Sequence, residues 1–327
     1  MSIDPVLDIK DLSISFEVDS KDYKAVEEVT FSISKGEIFG LVGESGCGKS
    51  LTALSIAGLL SRPLQVSRGS IEFEGQRIEK FKTRAMRRLR GDRISMIFQE
   101  PMTALNPLMT VGEQIGEMFI LHCGMSMKNA RKKAIEALEQ VQVPSPELRI
   151  HNYPHQLSGG MRQRIMIAIA LSCNPALLIA DEPTTALDVT IQAEIVQLIL
   201  ELCKAKGTAV LMISHDLGLV ARMCQRVAVM YAGKIVEEQF GSNIFTGPCH
   251  PYTKGLVGSL PRLGSRVEKG QVRLTEISGT VPSIFEFHEG CRFYPRCQNA
   301  LDKCRGKAPS RKRIDPDGYV RCYSCES

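Results

Sequence analysis

The sequence predicts an α/β domain on a largely parallel sheet over roughly its first 240 residues, followed by a small cysteine-rich appendage. Three observations predict it. Apolar, strand-like segments alternate with helical ones, the order that buries a parallel sheet between helices. A glycine-rich loop joins one such strand to the helix after it. Beyond about residue 247 the composition shifts to Pro, Gly, Cys and Arg.

Taken in order, residues 12–18, 30–33 and 38–42 read as strands, and 50–60 as a helix that Lys49 and Ser50 open directly after the glycine loop. Residues 80–93 hold seven Lys/Arg and read as a mostly polar helix, either solvated or in contact with a membrane partner. A strand follows at 94–98. Between 103 and 153 strand signals vanish, which marks a helical insert. Within it, Ala130, Ala134, Ile135, Leu138 and Val141 repeat at helical spacing. A helix is expected at 161–171 and strands at 177–180, 209–213 and 226–231. Ile191, Ile195, Leu198 and Leu202 define one more helix, with Gly207 placed to stop it. No internal repeat is evident.

Hydrophobic residues make up 43% and charged residues 24% of the 327, enough to bury a core without staples. Aromatics are only 6% and Trp is absent, so few rings are available to stack on nucleic acid, and no nucleic-acid partner is expected. The start, MSIDPVLDIKDLSISF, has no basic segment leading into an apolar one. The longest clean apolar run, 165–171, is too short for a membrane span. A cytosolic protein that reaches a membrane only through partners is therefore expected. The 41 basic and 36 acidic residues leave a net +5, and residues 291–327 carry that whole excess.

Gly43, Glu44, Ser45, Gly46, Cys47, Gly48, Lys49 and Ser50 spell GxxxxGKS between a strand and a helix. The glycines let backbone N–H groups converge on phosphate oxygens, and the helix N-terminus adds partial positive charge. Lys49 can reach the β- and γ-phosphates of ATP, and the Ser50 hydroxyl can ligate Mg²⁺. Residues 177–182 form an apolar strand ending in two carboxylates. Asp181 is placed to hold Mg²⁺ through water, and Glu182 to polarise the attacking water.

The run Leu157-Ser158-Gly159-Gly160-Met161-Arg162-Gln163-Arg164 resembles the LSGGQ signature of ABC ATPases. Gln99 in FQEP, Asp188 in the Ala186-Leu187-Asp188 loop and His215 in SHDL stand in the order of that family. The resemblance spans about residues 6–239 and implies an ABC-type P-loop NTPase. Its parts would be a mostly parallel core sheet, an antiparallel β subdomain and a helical subdomain at about 103–170. It further implies that Ser158, Gly159 and Gly160 contact the nucleotide of a second subunit, that Gln99 senses Mg²⁺ or water, and that His215 bridges to the γ-phosphate. Leu51 would follow the loop along the nucleotide, and Phe16 or Tyr23 would stack on adenine.

Only 57 residues separate Gln99 from Leu157, which leaves no room for the long insertions of DNA-repair members. His250-Pro251-Tyr252-Thr253, Gly279-Thr280-Val281-Pro282 and Pro295-Arg296-Cys297 resemble the C-terminal extension of the peptide/nickel importer ATPases, and the D-type subunits of peptide permeases in particular. This divides the chain into a nucleotide-binding domain at 1–247 and an extension at 248–327. The implied function is ATP-driven uptake of di- or oligopeptides across a bacterial inner membrane, from its cytoplasmic face. The implied partners are a second homologous ATPase, two multi-span permease subunits and, indirectly, a periplasmic or lipid-anchored peptide-binding protein. The alternatives are uptake of nickel or another small solute, or a soluble ABC ATPase acting on nucleic acid or ribosomes.

Eleven cysteines are present, five of them in the last 37 residues. Cys291, Cys297, Cys304 and Cys322 have wide, unequal gaps, with Cys325 extra. Four such thiolates can bind a [4Fe–4S] cluster, and the resemblance favours one. Zinc is the alternative, and either Cys322 or Cys325 can be the fourth ligand. Disulfides do not suit a reducing cytosol.

Overall fold

The structure is a computed structural model that describes residues 4–99, 104–183, 189–260, 277–314 and 318–325. Along the chain run β1 (Leu7–Val18), β2 (Lys21–Ile33), β3 (Ile38–Val42), α1 (Lys49–Ile56), β4 (Gln65–Phe73), β5 (Gln76–Arg77), α2 (Thr83–Leu89) and β6 (Ile94–Ile97). The helical insert follows as α3 (Val111–Cys123), α4 (Met127–Gln140), α5 (Pro146–Arg149) and α6 (Gly159–Leu171). Then come β7 (Leu177–Asp181), α7 (Val189–Lys206), β8 (Ala209–Ser214), α8 (Leu217–Met223), β9 (Arg226–Tyr231) and β10 (Lys234–Phe240). The last part holds α9 (Gly241–Thr246), α10 (Pro251–Gly258), α11 (Lys303–Gly306), β11 (Lys312–Ile314) and β12 (Gly318–Val320).

Two sheets organise these elements among the described residues. One is four-stranded and antiparallel, in the order β2-β1-β4-β5. The other runs β11-β12-β10-β9-β3-β8-β7-β6. Its strands from β9 to β6 are parallel, and β10, β12 and β11 continue it antiparallel. Apolar residues cover both faces of the parallel part. Leu177 and Ile179 join the core beneath the antiparallel sheet, while Leu178 and Ala180 join the core of the helical side. Burial on both faces is why these strands read as continuous apolar runs rather than alternating ones.

Local chemistry sets the helix boundaries near the site. Thr110 caps α3 through a capping box: its hydroxyl accepts from Glu113 N at 3.3 Å, and Glu113 Oε2 accepts from Thr110 N at 2.7 Å. Of the residues whose spacing predicts α4, Ala130, Ala134 and Leu138 are buried along it and Val141 just past its end, while Ile135 is half-buried and Ala137 joins the stripe. At Gly40 of β3 a Cβ would lie 2.2 Å from Val220 Cγ1, so only glycine lets α8 pack this closely on the strand.

The basic stretch at 80–93 differs from its expected single helix. Only Thr83–Leu89 is α-helical, and Arg90 turns into extended backbone. Its guanidinium donates to the Ala57 and Gly58 carbonyls at 2.9 and 3.0 Å, satisfying the C-terminal end of α1. Among the described residues no helix is long and apolar enough to cross a membrane.

Candidate functional site

The site lies where β3, β7 and β8 end, as expected for a mostly parallel sheet with the loops gathered at its carboxyl edge. After β3 the chain turns through Gly43, with φ 156°, where a Cβ would meet the Met230 carbonyl oxygen at 2.1 Å. Gly48, with φ 104°, caps α1. These two positions bend the loop over the helix N-terminus. Lys49 is buried, and its Nζ donates to the carbonyls of Gly43 at 2.7 Å and Glu44 at 3.1 Å. Cys47 is buried beneath the loop, and burial pushes its thiol up. That leaves the thiol no nucleophilic role and the residue a packing one.

Across the loop, Ser50 Oγ donates to Asp181 Oδ1 at 3.1 Å. Burial raises the Asp181 carboxyl above its ordinary range, the Ser50 hydrogen bond opposes that rise, and the adjacent Glu182 charge adds to it. Two hard oxygen donors converge in a partly desolvated place, a donor set that suits Mg²⁺. Glu182 follows with φ 45°, its N–H donating to the Ile213 carbonyl at 3.0 Å, so β8 fixes the direction of its side chain. Gln99 Nε2 donates to Glu182 Oε2 at 2.9 Å, and His215 Nδ1 stands 3.4 Å from the same oxygen. The Glu182 side chain is 12% exposed and His215 62%. The carboxylate is thus held on a sheltered wall and the imidazole faces outward.

Ser158 caps α6, accepting from Met161 N at 3.4 Å. Ser158 and Gly159 are exposed, and a Cβ at Gly160 would meet nothing within 4 Å. This helix N-terminus therefore presents open N–H groups outward. Gln163, buried on the same helix, donates to the Pro183 carbonyl beside Glu182, which ties the helical part to the acidic pair. Asp188 lies outside the described residues.

A groove of about 580 Å³ lies beside the loop, lined by Phe16, Ser45, Gly46 and Leu51. Phe16 stacks on Tyr23 with centroids 5.9 Å apart, and their β1–β2 register puts the two opposite each other. Of the two aromatic candidates, Phe16 lines the groove and Tyr23 backs it. The far wall comes from the C-terminal part, at Val281, Pro282 and Ile284. The separate motifs gave no sign of this, because the contact closes a separation of more than 200 residues.

Among the described residues no group of three or more His, Cys, Asp or Glu is arranged to hold a metal ion. Four tail thiols nevertheless sit close enough to influence one another. Burial pushes Cys291 up to about 11, and the thiols of Cys304, Cys297 and Cys322 add to that rise. Cys297 is raised by burial and by Cys322 and Cys304. Cys325 packs instead against Cys249; burial and a hydrogen bond between the two thiols push it up to about 12.

Residues 26–185 match the family model described as ABC transporter, and 236–304 match that of the oligopeptide/dipeptide transporter C-terminal region. A probable peptide ABC transporter ATP-binding protein, y4tR of Sinorhizobium fredii, is 50% identical over 98% of this chain and 95% of its own length. The oligopeptide transport ATP-binding protein AppD of Bacillus subtilis is 48% identical over 98% of this chain and 97% of its own. The dipeptide transport ATP-binding protein DppD of Escherichia coli is 44% identical over 97% and 96%. Among solved structures, the ATP-binding cassette MJ0796, a dimer bound to ADP and phosphate, superposes with a TM-score of 0.64 at 28% identity, covering 72% of this chain and 98% of that one.

Proposed function

This chain belongs to the ABC transporter family of ATP-binding subunits, and from that premise we propose that it hydrolyses ATP to drive import of di- or oligopeptides. The observation that carries the catalytic part is the convergence of Gln99 and His215 on one oxygen of Glu182, beside the Ser50–Asp181 pair.

Lys49 holds the β- and γ-phosphates once it leaves the loop carbonyls for the more strongly accepting phosphate oxygens. Ser50 and Asp181 would hold Mg²⁺, with Gln99 beside them, and the ion would supply positive charge against the phosphate oxygens. Glu182 takes the proton of the attacking water as the bond to the γ-phosphorus forms and the bond to the bridging oxygen breaks. Gln99 and His215 orient Glu182 and that water, and His215, exposed, reaches toward the γ-phosphate. Phe16 stacks on the base, with Leu51 alongside. Ser158, Gly159 and Gly160 face outward and serve the nucleotide of a second, homologous ATPase subunit.

The subunit works at the cytoplasmic face of the inner membrane on two permease subunits fed by a peptide-binding protein. A groove of about 270 Å³ beside Gln99, lined by Phe98, Leu105, Met118 and Met166, supports docking at the edge of the helical subdomain. The peptide cargo is supported by the names of the relatives and by the matched C-terminal region. In the extension, Cys291, Cys297, Cys304 and Cys322 would hold a [4Fe–4S] cluster, a reading supported by four thiols with wide, unequal gaps in the sequence. Burial holds the protons on Cys291 and Cys297 more tightly, so assembly would have to displace them. Protein purified without oxygen should carry about four irons per chain; stoichiometric zinc or no metal overturns that reading.

The function is tested with Glu182→Gln. Turnover should fall by about a hundredfold or more while ATP binding persists, and uptake of a labelled dipeptide by cells should stop. Unchanged turnover sinks the catalytic assignment. Normal peptide uptake by cells lacking the chain sinks the cargo.

A further inference from the structure

Glu44, the second residue of the phosphate loop, is gripped by the C-terminal extension at two of its three polar groups. Its carboxylate accepts from Arg296 Nη1 at 2.9 Å and Nη2 at 3.2 Å, a two-pronged pair. Its backbone N–H donates to the Tyr252 hydroxyl at 2.9 Å. Its carbonyl faces the other way, accepting from Lys49 Nζ at 3.1 Å. Arg296 is itself anchored: Nε donates to the Ser278 carbonyl at 2.9 Å and Nη2 to the Ile277 carbonyl at 3.2 Å. Its guanidinium lies 5.7 Å from the Tyr231 ring centroid, and its side chain is only 7% exposed. A fork fixed at this many points holds its carboxylate in one place, which a lysine ammonium would not do.

The same extension closes the groove beside the loop. Val281 and Ile284 face Phe16, Gly46 and Leu51 across a space of about 580 Å³, of a size to take a nucleoside. We propose that the C-terminal extension is a built part of this chain's own nucleotide site: Arg296 and Tyr252 are positioning residues for the phosphate loop, and the turn at Val281 and Ile284 is the outer wall against the base. The proposal rests on the ATP reading above. It deepens that reading by making affinity for the triphosphate depend on a segment that carries none of the hydrolytic residues.

The test uses the full chain carrying Glu182→Gln, which suppresses hydrolysis. Binding of a ribose-labelled fluorescent ATP is competed with ATP or with inorganic tripolyphosphate. Adding Arg296→Ala should weaken both competitors alike, by about tenfold, because it acts through the loop. Ile284→Ser should weaken ATP by about threefold or more and leave tripolyphosphate unchanged, because it acts only on the base. With Glu44→Ala already present, Arg296→Ala should add little further loss. Thermal melts separate these effects from unfolding. If Arg296→Ala does not fold, Arg296→Lys, which keeps the charge and loses the fork, takes its place with the same expected direction. Parent protein that binds ATP while every variant binds it equally well overturns the inference. Parent protein that binds no nucleotide overturns the ATP reading itself.

Discussion

Asp181 shows at the scale of one residue how the site trades stability for function. Burial raises its carboxyl above the ordinary carboxylate range. The group therefore binds its proton more tightly folded than unfolded. Its contribution to stability is full at low pH, below the unfolded value, and is lost as pH rises through the folded one. At neutral pH an ionised Asp181 thus weighs against folding, a cost that the proposed Mg²⁺ would offset. Asp181→Asn should melt higher than the parent in metal-free buffer and lose Mg²⁺-dependent turnover by about a hundredfold or more. A lower melting temperature in a calorimeter, or retained turnover, contradicts this account. Asp181, Ser50 and Lys49 were legible in the sequence because each belongs to a motif whose spacing is local. Arg296 was not: it meets Glu44 across 252 positions, and no local pattern marks an arginine as the partner of a phosphate loop.

At the scale of one element, α10 (Pro251–Gly258) shows how the extension's helix is set. His250 caps it, Nδ1 accepting from Tyr252 N at 3.1 Å, and Pro251 occupies the first turn where no N–H is missed. Glu237 Oε1 and Oε2 accept from the N–H groups of Cys249 and His250 at 2.7 and 2.8 Å, fixing the entry to the helix. Full burial pushes His250 down to about 3. Folded, it stays neutral where an unfolded chain would take up a proton. Its contribution is present above the ordinary imidazole value near 6.5 and is lost progressively as pH falls toward 3. Melting temperature should therefore drop between pH 6.5 and pH 4.5, and the slope should flatten in His250→Asn, which can still cap. Equal slopes for both proteins rule out His250 as the acid-sensitive group. The parallel strands were legible as elements because burial on both faces makes them apolar throughout. β10 was not read as a strand, because Glu237, Glu238 and Gln239 stand in its middle. All three are buried, the two carboxylates at 0% and 2% exposure; Gln239 donates to Glu237, and the other partners of the two carboxylates, on Arg226, Cys249, His250 and Arg311, are distant in sequence.

Those partners decide how the whole molecule holds together. The extension reads in sequence as an appendage, yet β12 pairs with β10 and continues the ATPase sheet, with Glu237 opposite Val320. Arg311 pairs with Glu238 at 2.9 Å, Arg292 pairs with Glu27 on the antiparallel sheet, and Phe293 packs edge-on against Tyr231 at 5.1 Å. The MJ0796 cassette reaches the same fold while matching only 72% of this chain, so the architecture as such does not require an extension. This sequence does, because its sheet edge is written with acids that the extension satisfies. A chain ended at residue 247 leaves Glu237 with the Gln239 amide but without the two backbone N–H groups of Cys249 and His250, and leaves Glu238 with Arg226 alone. Removing partners from a buried charge costs about 3–5 kcal/mol, a large part of the roughly 5–15 kcal/mol that holds a domain folded. The truncated chain should therefore collect in the insoluble fraction or melt well below the parent. Glu237→Val in that same truncated chain should recover soluble protein, since an apolar side chain asks for no partner. Full solubility and an unchanged melt for the truncated chain would mean that the extension merely rests on the sheet. Failure of Glu237→Val to help would move the cause from the buried acids to the exposed strand edge.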